Sequence, residues 1–116
     1  MILEEKSLDF AIKIVNLYKF LTNEKKEYIL SKQILRSGTS IGANIKESRH
    51  AESNADFIHK LAISQKEAGE TEYWLIILYK TEYISKIKHE SLFKDLKELR
   101  KILSSSIITM KKKKSK

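Results

Sequence analysis

The fifteen residues from Gln33 to Glu47, QILRSGTSIGANIKE, constrain this chain more than any other segment. Ile34, Gly38, Ile41 and Ile45 recur at helical spacing and form an apolar stripe. Beside it runs a second stripe of Gln33, Ser37, Ser40, Asn44 and Glu47. These side chains are short or polar. A buried polar group costs free energy unless it is hydrogen-bonded, so the row calls for specific partners. Gly38 and Gly42, followed by Ala43, let another backbone come close. Each glycine lowers helix propensity by roughly 1 kcal/mol relative to alanine, and close packing is the compensation expected. The segment predicts a helix pressed against its neighbours.

The rest of the chain extends that helix into a bundle. There is no proline and there are only three glycines in 116 residues, so long helices and few tight turns are expected. Ser7 is the expected cap of a first helix, with Asp9 in its first turn. Leu8, Ala11, Val15 and Tyr18 make one row on it, and Ile14, Leu17 and Leu21 a neighbouring one. It should end near Thr22 and Asn23, followed by a charged connection to Lys26. A second helix runs from about Glu27 to Arg49. Ser53 with Asp56 three residues on resembles a capping box for a third, which reaches about Tyr83. A loop from Ser85 to Glu90 leads to a fourth helix carrying Leu92, Leu96, Leu99, Leu103 and Met110. Long helices with short connections predict an all-α, up-down-up-down antiparallel four-helix bundle over residues 1–110.

The third helix has more apolar surface than one small bundle can enclose. Tyr73 to Tyr79 is apolar all the way round, whereas a bundle helix buries one stripe. Two readings follow: a helix unusually well enclosed, or a face covered by a second copy. The second predicts a homo-oligomer, with Tyr73, Trp74, Ile76 and Ile77 at its interface. Tyr73 to Tyr79 is far short of the ~20 apolar residues that span a bilayer, so no membrane partner is expected. The acidic start, Met1 to Glu5, lacks the pattern of a signal peptide. The absence of cysteine excludes disulfides and thiolate-held metal and fits a reducing compartment. A cytoplasmic location is expected.

The net charge of +8 is unevenly placed. Five of the 23 basic residues, Lys111, Lys112, Lys113, Lys114 and Lys116, sit in the last six positions. That leaves 18 basic against 15 acidic residues in 1–110, a net of +3. Residues 111–116 are expected as a solvated, disordered basic tail. Such a tail attracts phosphate backbones or acidic surfaces, or serves solubility alone. Lys32, Arg36, Lys46, Arg49 and His50 are the further candidates for a basic surface, along the second helix. Without interleaved aromatic residues, contact to phosphate is expected in preference to base stacking.

Catalysis has little support. Gly38, Gly42 and Gly69 fit no phosphate-binding loop, and His50, His59 and His89 do not share a helical face. No cofactor, metal or enzymatic activity is expected. Glu72 sits on the row of Phe57, Leu61, Ser64, Ala68 and Leu75, where a carboxylate needs a partner. Arg36, Gln33 and Asn44 are the candidates. Together with Ser40 and Glu47 they predict a polar network that fixes helix register; a ligand-binding acid is the other reading.

The stretch QILRSGTSIGANIKE resembles the signature of the four-helix-bundle proteins encoded in intervening sequences of bacterial 23S ribosomal RNA genes. The resemblance continues through Ala51 to Ser53, Asp56 to Leu61, Lys66 to Ala68 and Glu70 to Leu75, and spans about Leu8 to Leu103. Many members carry a proline between the first two helices, and this chain has none. The resemblance implies bundles assembling as rings, often pentamers. It also implies similarity to the accessory variability determinant of diversity-generating retroelements, a basic pentamer that works with reverse transcriptase and nucleic acid. The function expected is a non-enzymatic, ring-forming bundle that binds RNA, DNA or a nucleic-acid enzyme. The alternative is a protein–protein adaptor that binds no nucleic acid.

Overall fold

Four helices account for nearly all of the computed structural model, which describes residues 2–114. They are α1 (Ile2–Asn23), α2 (Leu30–Ser48), α3 (Asn54–Lys80) and α4 (Lys86–Lys114). The body measures 52 × 22 × 20 Å. A helix of 29 residues is about 43 Å long, so the long dimension is set by helices lying along one axis. Each helix packs on its sequence neighbour, and α1 also packs on α4; α1 and α3 lie diagonally, as do α2 and α4. This is the predicted antiparallel four-helix bundle. No described helix is long and apolar enough to cross a membrane.

The caps explain where the helices start. α1 begins at Ile2, earlier than predicted, with Glu4 and Glu5 in its first turn. Ser7 is therefore not a cap. It lies buried inside α1, its hydroxyl donating to the Glu4 carbonyl at 3.0 Å. α2 begins at Leu30, three residues later than expected. Its N-cap residue, Ile29, supplies no side-chain hydrogen bond. Glu27 does so instead, accepting from the backbone N–H groups of Ile29 (3.2 Å), Leu30 (3.0 Å) and Ser31 (2.7 Å). Burial pushes the Glu27 carboxyl up, but those donors outweigh it and hold the group below its ordinary value. Ser53 caps α3 as predicted, accepting from Asp56 N at 3.0 Å. Ser85 accepts from Lys88 N at 3.1 Å and so starts α4 inside the segment expected as a loop. At the other end α4 continues through Lys114, where a tail was expected from residue 111. Lys116 lies outside the described residues.

The core combines leucine and isoleucine layers with one seam of small residues. α1 buries Leu3, Phe10, Ile14, Leu17 and Leu21, and α4 buries Leu92, Leu96, Leu99 and Leu103. Leu8, placed in an inward row by its spacing, is exposed. Gly38 and Gly42 face α1. A Cβ on Gly38 would sit 2.8 Å from Ile14 Cγ1, and one on Gly42 would sit 3.2 Å from Ser7 Oγ. On the α3 side, Ser37 and Thr71 share a hydrogen bond at 2.9 Å, and the Ser64 hydroxyl donates to the Ile41 carbonyl at 2.8 Å. Both bonds are buried, so their partners are satisfied without water.

Candidate nucleic-acid interface

The basic residues predicted along α2 do not form one patch. Lys32 and Lys46 are 14 residues apart, or about 21 Å along the helix axis. Arg36 turns toward α3, where it reaches Glu67 at 3.1 Å and Glu70 at 2.5 Å. Glu70 also accepts from Trp74 Nε1 at 3.3 Å. The Arg36 hydrogen bond is the main reason that the Glu70 carboxyl is held below its ordinary value, and Glu70 in turn raises Arg36. Arg49 turns the other way, to Glu4 of α1 at 2.9 Å. The two arginines thus clamp α2 to opposite neighbours, a division that residue spacing alone did not reveal.

The polar network predicted around Glu72 is also divided. Glu72 bonds to Arg100 of α4, not to Arg36, Gln33 or Asn44. The register of α3 turns Glu72 away from α2 and gives that side to Thr71 and Ser64. Asn44 donates to the Ser40 carbonyl at 2.8 Å, and Ser40 to the Arg36 carbonyl at 2.6 Å, both within α2. Gln33 is exposed, and Glu47 pairs on the surface with Lys60 at 3.2 Å. The buried side-chain hydrogen bonds between α2 and α3 are those of Ser37, Thr71 and Ser64. Of these the sequence flagged only Ser37 as polar and Ser64 as inward; Thr71, on the same helical row, went unmarked.

The topology does assemble a basic end. α2 and α4 both finish at the end of the bundle where α1 starts. Lys46 comes from α2, Arg49 and His50 directly follow it, and Lys111, Lys112 and Lys113 come from the last turn of α4; all six are exposed. Arg49 and Met110 line a common recess of about 350 Å³ with Ser48, Ala51, Glu52 and Phe57, which fixes the end of α4 against the α2–α3 connection. Glu4, Glu5, Glu47, Glu52 and Asp56 lie at this end too, so the positive charge is concentrated where the lysines close α4.

On α3 the bundle encloses Leu75 and Leu78 and leaves Tyr73 60% and Ile76 38% exposed. Trp74 and Ile77 are half-buried, and Trp74 meets the Tyr73 ring edge-on at 5.3 Å. The surplus apolar surface read from the sequence therefore faces outward. His89 is not a bare rim residue: it stacks on Tyr79 at 4.6 Å and leans on Phe93 at 5.6 Å.

The fold and sequence both have a solved counterpart. A protein of unknown function of the S23 ribosomal protein family, from Bacteroides thetaiotaomicron VPI-5482, is 61% identical, with a TM-score of 0.90. The match covers 90% of this chain and 97% of that one. No curated protein matches the chain. The profile of the 23S rRNA-intervening sequence proteins matches residues 1–105, which takes in the small-residue seam and the outward face of α3 alike. The chain belongs to the 23S rRNA-intervening sequence protein family.

Proposed function

We propose that this chain is a non-enzymatic helical bundle that assembles as a homo-oligomeric ring, a pentamer in the simplest reading, and binds nucleic acid through its basic end. The observation that carries the reading is the convergence of Lys46 and His50 with Lys111, Lys112 and Lys113 at one end of the bundle. Flexible lysines without a base-stacking surface suit phosphate backbones and give little sequence preference. A ring would repeat the lysines once per subunit and so multiply the local field. Tyr73 and Ile76 supply the apolar surface for assembly. RNA and DNA are both candidate partners. The resemblance of the sequence to the accessory variability determinant, taken as a guide, extends the proposal to a reverse transcriptase or another nucleic-acid enzyme in the cytoplasm.

Fluorescence anisotropy with labelled RNA and DNA at several salt concentrations tests the binding. Each neutralised phosphate contributes about 0.9 to the salt slope on duplex DNA and about 0.7 on single strands. Deleting residues 111–116 should flatten the slope by up to roughly 4 per chain. Light scattering should give a mass several times 13.5 kDa. An oligomer that binds no nucleic acid even at low salt decides for the adaptor. That second reading is favoured by one fact: Arg36 and Arg49 are already engaged by carboxylates.

A further inference from the structure

The two most exposed large apolar side chains among the described residues are Ile87, at 82%, and Ile29, at 75%. They are far apart in sequence, yet both sit where a helix starts at the end of the bundle opposite the basic end. They occupy opposite corners, since α2 and α4 do not pack on each other. Side chains lean toward the N-terminus of their own helix, so both isoleucines lean off the end of the bundle. Tyr28, also exposed, precedes Ile29. Ile29 is moreover a poor N-cap: isoleucine offers no acceptor there, and Glu27 must serve in its place. Local helix stability therefore does not account for an isoleucine at this position.

Cations share this end of the bundle with these side chains. Lys25, Lys26, Lys32, Lys80, Lys86 and Lys88 are all exposed at this end. Among the described residues only Lys86 of these six holds an ion pair, with Glu90 at 4.0 Å. Glu24, Glu82 and Glu90 are the exposed acids here, while Glu27 is turned inward onto the backbone of α2. The lysines come from four separate segments, which is why the sequence showed no cluster.

We infer that this end of the bundle is a contact surface for an anionic lipid bilayer. Ile29, Ile87 and Tyr28 enter the boundary between headgroups and acyl chains, and the lysines hold anionic headgroups. A flat partner meets opposite corners at once. Aliphatic side chains gain from hydrocarbon and little from phosphate or bases. The exposed ring of Phe20, a residue here suited to stack on a base, is already covered by the Lys25 ammonium at 5.7 Å. The contact needs no spanning helix, and it stands independently of the nucleic-acid reading, whose lysines, Lys32 excepted, lie at the far end.

The test is co-sedimentation of the full-length protein with vesicles of phosphatidylcholine alone and with roughly a third phosphatidylserine, at low and high salt. Binding is expected to the anionic vesicles only and to fall as salt rises. The double variant Ile29→Ser, Ile87→Ser should bind at least about tenfold more weakly, having lost both aliphatic anchors. Both positions are exposed and Glu27 still caps α2, so the fold is retained; unchanged circular dichroism checks this. Deletion of residues 111–116 should leave vesicle binding in place. The inference is overturned if the native protein ignores anionic vesicles at low salt, if the double variant binds them as well as the native protein, or if the deletion abolishes binding. It is equally overturned if the double variant loses labelled single-stranded RNA instead of vesicles, or loses only its oligomeric mass.

Discussion

The two sides of this bundle are held by different means. Where α2 meets α1 and α3, glycine and hydroxyl side chains lie among the buried isoleucines of α2, inside a border of ion pairs from Arg36, Arg49 and Lys60. Gly38 lies under Ile14, Gly42 under Ser7, Ser37 against Thr71, and Ser64 against the backbone of α2. Where α4 meets α1 and α3, four buried leucines are bordered by ion pairs between long side chains, Lys6 with Glu98, Lys13 with Asp95, and Arg100 with Glu72, and by Gln65 donating to Ser104. Leucine layers tolerate adjustment, and partly exposed ion pairs contribute little. A backbone approached to within a missing methyl group has no such latitude. The α2 seams therefore set the register of the bundle, and the α4 side mainly contributes buried area.

The strongest way to break this contrast is Gly38→Leu. The first carbon of the new side chain already overlaps Ile14, so α1 must move, at a cost of ~1–3 kcal/mol or more. A thermal melt should show a large drop in midpoint. An unchanged midpoint would mean that α1 is not pressed on α2.

Thr71→Val is expected to cost about 1–3 kcal/mol, because it strands the buried Ser37 hydroxyl. Adding Ser37→Ala should recover most of that loss. Denaturant titration of the two single variants and the double variant measures the coupling. Purely additive effects would remove the hydroxyl pair from the account of the seam.

Glu27→Gln addresses the start of the same seam. The folded carboxyl is held below its ordinary value of 4.5, so it stabilises the native state above that value and loses its effect as pH falls through the folded pKa. Near neutral pH the variant should be less stable by about 1 kcal/mol, within the range for a lost cap. The gap between variant and native protein should close as pH drops below 4.5. A gap constant from pH 7 to pH 3 would show that the charge of Glu27 is immaterial.

The smallest effect has the opposite sign. Gly69 is also in a helix interior, but a Cβ there would meet only Arg100 Nη2, at 3.8 Å. Gly69→Ala should therefore raise stability by about 0.5–1 kcal/mol through helix propensity alone. A melt showing destabilisation comparable to that of Gly38→Leu would erase the difference between the two sides.

Much of this contrast was legible before any coordinates. The stripe of Ile34, Gly38, Ile41 and Ile45 is buried in full, and the helix count and antiparallel order follow from apolar periodicity and short connections. The apolar excess of Tyr73 to Tyr79 was legible for the same reason: one bundle can cover only one stripe of a helix. The polar partners were not legible. Glu72 was assigned to α2 and bonds to α4, and Arg36 and Arg49 were assigned to one surface and face opposite ways. Ser7 read as a cap and is a buried packing residue.

The sequence by itself determined the helices, their order, the close-packed segment and the family. Each of these depends on residue type and on spacing within a single helix, which the chain order contains. Only the tertiary structure decided which neighbour each face meets, that the glycines take α1 while the hydroxyls take α3, and that lysines from four segments share one end of the bundle with Ile29 and Ile87. Those outcomes depend on rotations about helix axes. A rotation of a few tens of degrees keeps the same apolar stripe buried while exchanging the partners of every polar side chain at its edge.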